Sequence, residues 1–175
     1  FKADGLKELI SFLKIINNQE KIFILGAGSN TLISDNLFDG IVIKLGKSFN
    51  NISLLNEDII IAGTSVLDKS LSEFAKINNL SGLEFLSCIP GTVGGGIKMN
   101  AGCFGKEFKD ILLSIQVIDK FGNVSTIQSK DINFEYRNSN LPENLIFLSA
   151  SFKAKKSEAS IIQSKIDELK LKKEN

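Results

Sequence analysis

The stretch GLEFLSCIPGTVGGGIKMNAGCFG, residues 82–105, gathers seven of the chain's fourteen glycines and one of its two prolines into one run. Fixing glycine costs more backbone entropy than fixing any other residue, and a purely structural turn needs one or two. Within the run, Ile89-Pro90-Gly91-Thr92-Val93-Gly94-Gly95-Gly96 is too glycine-rich for a comfortable strand and too irregular for a helix. It predicts a long loop whose bare backbone lies against something flat or charged, with Asn100, Ala101 and Gly102 continuing the approach. Small side chains admit a planar ring, and exposed amides suit an anion. A flavin with its pyrophosphate has both properties. Pro90, Gly91, Thr92, Gly94, Gly95, Asn100, Ala101 and Gly102 are therefore candidate cofactor contacts.

Toward the N-terminus, Gly26-Ala27-Gly28-Ser29-Asn30-Thr31 directly follows KIFIL, residues 21–25, which reads as a short buried strand. Glycines at a strand end expose successive backbone N–H groups, the usual arrangement for cradling a phosphate. The segment partly matches G-x-G-x-x-G, but Thr31 stands at the third glycine and SDNLFDG reads as a turn where a Rossmann unit needs a long helix. A plain strand-to-loop turn explains the six residues equally well.

The rest of the chain supplies alternating elements. Leu6, Leu9, Ile10, Leu13 and Ile16 recur at helical spacing after a capping Asp4, with Asn17-Asn18 as the stop. IVIKL (41–45), ISLL and DIIIA around Asn56-Glu57-Asp58, and LIFLSASFKA read as strands, and ILLSIQVID with NVSTIQ as a hairpin about Phe121-Gly122. Residues 65–78 have helical periodicity with Thr64 or Ser65 as cap. The tail from Ser157 carries Ile161, Ile162, Ile166, Leu169 and Leu171 at amphipathic spacing and ends in lysines. The class is α+β, without repeats.

Composition excludes several functions. Of 175 residues 43% are hydrophobic, enough to bury a core, and 21 cationic against 20 acidic residues leave a net charge of +1 with no footprint for nucleic acid. No apolar run reaches the length of a membrane span, and the chain reads as cytoplasmic. It has no histidine, which rules out a Ser-His-Asp triad and histidine-ligated metal within it, and no metal ligand set is predicted. Cys88 and Cys103 read as free, packing thiols. Tyr136 and Arg137 are the only tyrosine and arginine in a chain that uses Lys twenty times and Phe thirteen. An arginine where lysine is the rule implies a planar fork, as for bidentate binding of a carboxylate.

LGAGSNTLISDNLFDGIVIKL, GLEFLSCIPGTVGGGIKMNAGCFGKEFKD and FEYRNSNL, in this order, resemble the three signatures of the flavin-binding region of the UDP-N-acetylenolpyruvoylglucosamine reductases. The resemblance implies an α+β, two-part FAD-binding module of the vanillyl-alcohol oxidase (PCMH) type. Residues 1–56 would form the smaller part, 57–155 the larger, and 156–175 a helix leading to a substrate-binding domain absent from the chain. It implies FAD as bound cofactor, held by residues 26–31 and the second glycine-rich run, with NADPH as hydride donor and a sugar nucleotide as substrate. Arg137, with Tyr136 beside it, would polarise the substrate carboxylate in a step of peptidoglycan synthesis. The proton-donating serine and a C-terminal glutamate of the family would lie outside the chain. Ser151-Phe152-Lys153 is not that serine motif, since no glycine precedes it and no Asn-Pro follows. The other reading is a stand-alone flavin-binding piece without turnover. No nucleic acid, membrane or protein partner is implied.

Overall fold

The computed structural model describes residues 1–16 and 20–174. Lys2–Ala3 (β1), helix Leu6–Ile15 (α1), Ile22–Ile24 (β2) and Ile41–Leu45 (β3) form a small lobe whose three strands run parallel in the order β1-β3-β2. Leu9 and Leu13 of α1 are buried against Ala3, Ile43, Leu45 and Phe49, as the spacing predicts. Asp4 does not cap α1. Gly5 precedes the helix, and the Asp4 carboxylate pairs with Lys2 at 3.2 Å and accepts from the Lys47 amide at 3.4 Å. Asp4 thus ties the helix start to the end of β3. Asn17-Asn18, the expected stop, lies outside the described residues. Parallel β2 and β3 are joined by residues 25–40, a crossover that contains no helix. Parallel neighbours usually need a helix in that connection, so a Rossmann unit is excluded.

The larger lobe continues with Ile52–Leu54 (β4), Ile59–Gly63 (β5), Asp68–Ile77 (α2), Leu80–Ser81 (β6), Val93–Lys98 (α3), Gly102–Cys103 (β7) and Lys106–Glu107 (β8). Leu112–Ile118 (β9), Val124–Gln128 (β10), Ile146–Lys153 (β11), Lys155–Lys156 (β12) and Ala159–Glu174 (α4) complete it. Its sheet is antiparallel throughout, in the order β10-β9-β11-β5-β4. Ser151 and Phe152 lie on β11 opposite Ile61 and Ile60.

Two expectations fail here. Helix α2 begins at Asp68 rather than near residue 65, and neither Thr64 nor Ser65 caps it. The Thr64 hydroxyl donates to the Phe147 carbonyl at 2.5 Å and that of Ser65 to the Leu45 carbonyl at 2.9 Å, so both hydroxyls tie β5's end to neighbouring strands. The glycine run also holds a helix, α3, where an irregular loop was expected. A Cβ on Gly94 would stand 2.9 Å from Thr64 Cβ, and one on Gly96 would enter the Phe108 ring. These glycines let a helix lie against β5 and Phe108, and that packing outweighs their propensity cost of roughly 1 kcal/mol each.

Two cores result. The larger surrounds Phe108, which meets Phe85 and Phe152 edge-on at centroid separations of 6.3 and 6.0 Å. The smaller belongs to α1 and β3, yet takes Ile118 from β9 and Ile146 and Leu148 from β11. A register shift between Phe147 and Ser149 leaves Leu148 unpaired with β9. In α4, Ile162 and Ile166 are buried and Leu169 packs on the larger core, while Ile161 and Leu171 face solvent.

Candidate functional site

The two glycine-rich segments, sixty residues apart in sequence, meet in space. Ser29 Oγ donates to the Pro90 carbonyl at 2.7 Å, and a Cβ on Gly26 would lie 2.6 Å from Thr92 Oγ1. On the first segment Gly28 is left-handed at φ 77° and receives the Thr31 amide at 3.3 Å, closing a turn that no β-branched residue tolerates easily. Ala27, Gly28, Ser29, Asn30 and Thr31 are exposed. The amides from Gly26 to Asn30 have no protein acceptor among the described residues, so five successive donors are open to a ligand.

The second segment offers fewer donors than the sequence suggests. Pro90 has none. Val93, Gly94 and Gly96 donate to the carbonyls of Val66, Thr64 and Thr92 at 2.9, 2.9 and 2.8 Å. Gly91, Thr92 and Gly95 remain, and of these Gly95 is exposed with only the Thr92 hydroxyl near its α-carbon. Gly94 therefore serves packing through its missing side chain, Gly28 and Gly95 leave room beside the backbone, and a Cβ on Gly91 would stand 3.2 Å from Asp68 Oδ2.

Beyond α3, Asn100 fastens three segments. Its Oδ1 accepts from the Lys109 amide at 3.1 Å, and its Nδ2 donates to Glu107 Oε2 at 2.9 Å and the Glu135 carbonyl at 3.2 Å. Ala101 is equally committed, donating to Gly96 and accepting from Phe108. Gly102 pairs with Glu107 in the β7–β8 ribbon. Glu135 exchanges backbone bonds with Asn138, which makes Tyr136 and Arg137 the tip of a tight turn. Arg137 there is left-handed at φ 56°, an uncommon state for a side chain of its size. Arg137 and the 85% exposed Tyr136 border a cavity of about 440 Å³ with Asn100, Gly102 and Lys106. So the structure joins the residues of the third signature to those of the second, through Asn100.

Sequence reasoning missed Asp68. It is fully buried at the first turn of α2, neither carboxylate oxygen has a partner, and burial pushes its carboxyl up to about 7. Its amide donates to the Gly91 carbonyl at 3.1 Å. An acid that opens an amphipathic helix looks like an ordinary first-turn residue, and only the packing of residues 90–92 over it reveals its burial. The thiols are as expected. Both are free, Cys103 Sγ donates to the Phe85 carbonyl at 3.3 Å, and burial with Cys88 as neighbour pushes the Cys103 thiol up to about 11. A thiol held protonated is a poor nucleophile.

Five open amides beside a bare glycine backbone, with a cavity one short helix away, suit an extended dinucleotide, and the comparisons agree. The FAD binding domain family matches residues 1–128, and the chain belongs to it. Over 99% of its length it is 61% identical to UDP-N-acetylenolpyruvoylglucosamine reductase of Pelagibacter ubique, of which it covers 58%. The crystal structure of UDP-N-acetylenolpyruvylglucosamine reductase from Thermus caldophilus superposes with a TM-score of 0.87 at 29% identity, covering 99% of this chain and 61% of that one. CO dehydrogenase from Oligotropha carboxidovorans shares the fold alone, with a TM-score of 0.64 at 9% identity over 89% of this chain and 59% of that chain. The fold is thus the two-part FAD-binding module of the PCMH type. The chain spans about three fifths of the length of the reductase relatives it matches.

Proposed function

We propose that the chain is the flavin-holding part of an NADPH-dependent reductase that converts UDP-N-acetylglucosamine enolpyruvate to UDP-N-acetylmuramate for peptidoglycan, in the cytoplasm. The observation that carries this reading is the meeting of the two glycine-rich segments, with the cavity that Arg137 borders beyond the far end of α3. Bound FAD would supply a two-electron relay between a nicotinamide and the substrate. The chain's own part is positional. The amides of residues 26–30, with those of Gly91, Thr92 and Gly95, would hold the dinucleotide. Arg137 would grip the carboxylate of the enolpyruvyl group in a bidentate pair, aided by Tyr136, and its hold would strengthen as negative charge grows there. Asn100 serves by fixing the turn that presents both.

Purified chain titrated with FAD should bind it in a one-to-one ratio, seen as a shifted flavin absorbance band. In the full-length enzyme, flavin reduced by NADPH should reoxidise when the enolpyruvyl sugar nucleotide is added. A chain that retains no flavin defeats the whole reading. Flavin that binds but is never reoxidised by this substrate supports instead a flavin-binding piece without turnover.

A further inference from the structure

Asp68 is a buried acid that nothing in the fold employs. Its side chain is wholly inaccessible, and neither oxygen meets a donor. An unpaired charge in such a place is costly, and a protein normally supplies a partner or keeps the group neutral. No ion pair reaches it among the described residues. The location is specific. A Cβ on Gly91 would lie 3.2 Å from Asp68 Oδ2 and 3.6 Å from Ser29 Oγ, so both polar groups converge on the bare α-carbon of Gly91. This is also where the Ser29 hydroxyl joins the two segments. Residues 26–31 and 89–92 contain no titratable side chain. The neighbouring charges on α2 itself are those of exposed Lys69 and of Glu73, which pairs with Lys76.

We infer that Asp68 is a cofactor-positioning residue, whose proton makes the junction of the two glycine-rich segments able to accept the pyrophosphate of FAD. The inference rests on the FAD reading above. The ionised carboxylate would place a second negative charge beneath Gly91, behind the amides that face the phosphates, and would weaken their hold. The neutral acid adds no such charge. Burial is what raises the Asp68 pKa to about 7, so the proton is half lost near neutrality in the empty protein. A bound pyrophosphate raises it further. Binding is then strongest below the pKa of the empty protein and weakens as pH rises above it.

The test measures FAD affinity of the full-length protein by fluorescence quenching from about pH 5.5 to 8.5, with riboflavin as the phosphate-free control. Above pH 7 the native protein should lose affinity by up to roughly tenfold per pH unit, the limit for one linked proton. Asp68→Asn should show a flat profile and exceed the native affinity at the alkaline end, and riboflavin binding should not respond to pH. If Asp68→Asn does not fold, calorimetry of the native protein in buffers of different ionisation enthalpy serves instead. It should record uptake of a fraction of a proton as FAD binds near pH 7.5. Parallel pH profiles for the native and Asn proteins, or no proton uptake, overturn the inference while leaving FAD binding intact. No FAD binding at any pH overturns both.

Discussion

Arg137 sits at the tip of a turn in a backbone state that side chains of its size seldom adopt, exposed, and fixed from below by the bond from Asn100 to Glu135. A residue of this size in the left-handed region is held there by its surroundings, which fits a group aimed at a ligand. Lysine brings the charge without the fork. Arg137→Lys in the full-length enzyme should bind FAD and accept hydride from NADPH normally, yet slow flavin reoxidation by the enolpyruvyl sugar nucleotide roughly 10²-fold. Reoxidation at the native rate would make the arginine structural. The glycines separate by a different logic. Gly28→Ala meets only Leu25 Cδ1 at 4.0 Å, so the chain should fold with a loss of about 1–2 kcal/mol from the left-handed backbone and with weakened flavin binding. Gly94→Val collides with Thr64 and should cost about 3 kcal/mol or more in urea unfolding, whether or not FAD is present. Equal stability of the two variants would refute that division. Composition singles out Arg137, the chain's one arginine. Which glycines are packed and which lie open was not legible, since that depends on residues 64, 92 and 108 lying opposite them.

At the scale of elements, the strands were easiest to read. IVIKL is β3 to the residue, and the pairs β4–β5 and β9–β10 formed where turn residues separated apolar runs. Helix α3 was illegible because local propensity opposes it, and the force that makes it helical comes from the distant Phe108. The absent Cβ of Gly96 is what lets that ring close over the helix. Gly96→Ala should therefore cost about 1–3 kcal/mol, as overpacking does. In a Phe108→Leu background the same change should cost at least about 1 kcal/mol less, because the ring it strikes is gone. A denaturant-unfolding double-mutant cycle measures this coupling, and strict additivity would show that the glycine answers to something other than Phe108. The run LIFL at the start of β11 shows a second limit. Its apolar residues do not alternate with polar ones, and the reason is that Phe147 faces the larger core while Ile146 and Leu148 face the smaller.

For the whole molecule, the buried side chains gather into two cores, one around α1 and β3 and one around Phe108, and β4, on the N-terminal side of residue 56, pairs into the larger sheet. The division of labour is unequal. The small lobe's core holds Ala3, Leu9, Leu13, Ile43, Leu45 and Phe49 of its own and borrows Ile118, Ile146 and Leu148 from strands β9 and β11. Without the borrowed side chains, α1 and three short parallel strands would cover only one side of a very small core, and chains of this size seldom fold unaided. Further backbone bonds cross the same boundary, from Gly63 to the Asn51 carbonyl at 2.9 Å and from Ser65 to that of Phe49 at 3.0 Å. The glycine loop of residues 26–31 follows β2 of this dependent lobe and is tied to the larger one through Ser29 and Pro90. A fragment of residues 1–56 should accordingly be unfolded in water, with a random-coil circular dichroism spectrum and poorly dispersed amide resonances, and should not bind FAD. Mixing it with residues 57–175 should restore dispersion if the two parts assemble, because the missing apolar faces are then supplied. A dispersed, cooperatively melting spectrum from residues 1–56 alone would show that the small lobe is an independent domain and that its contacts with β9 and β11 are incidental to its folding.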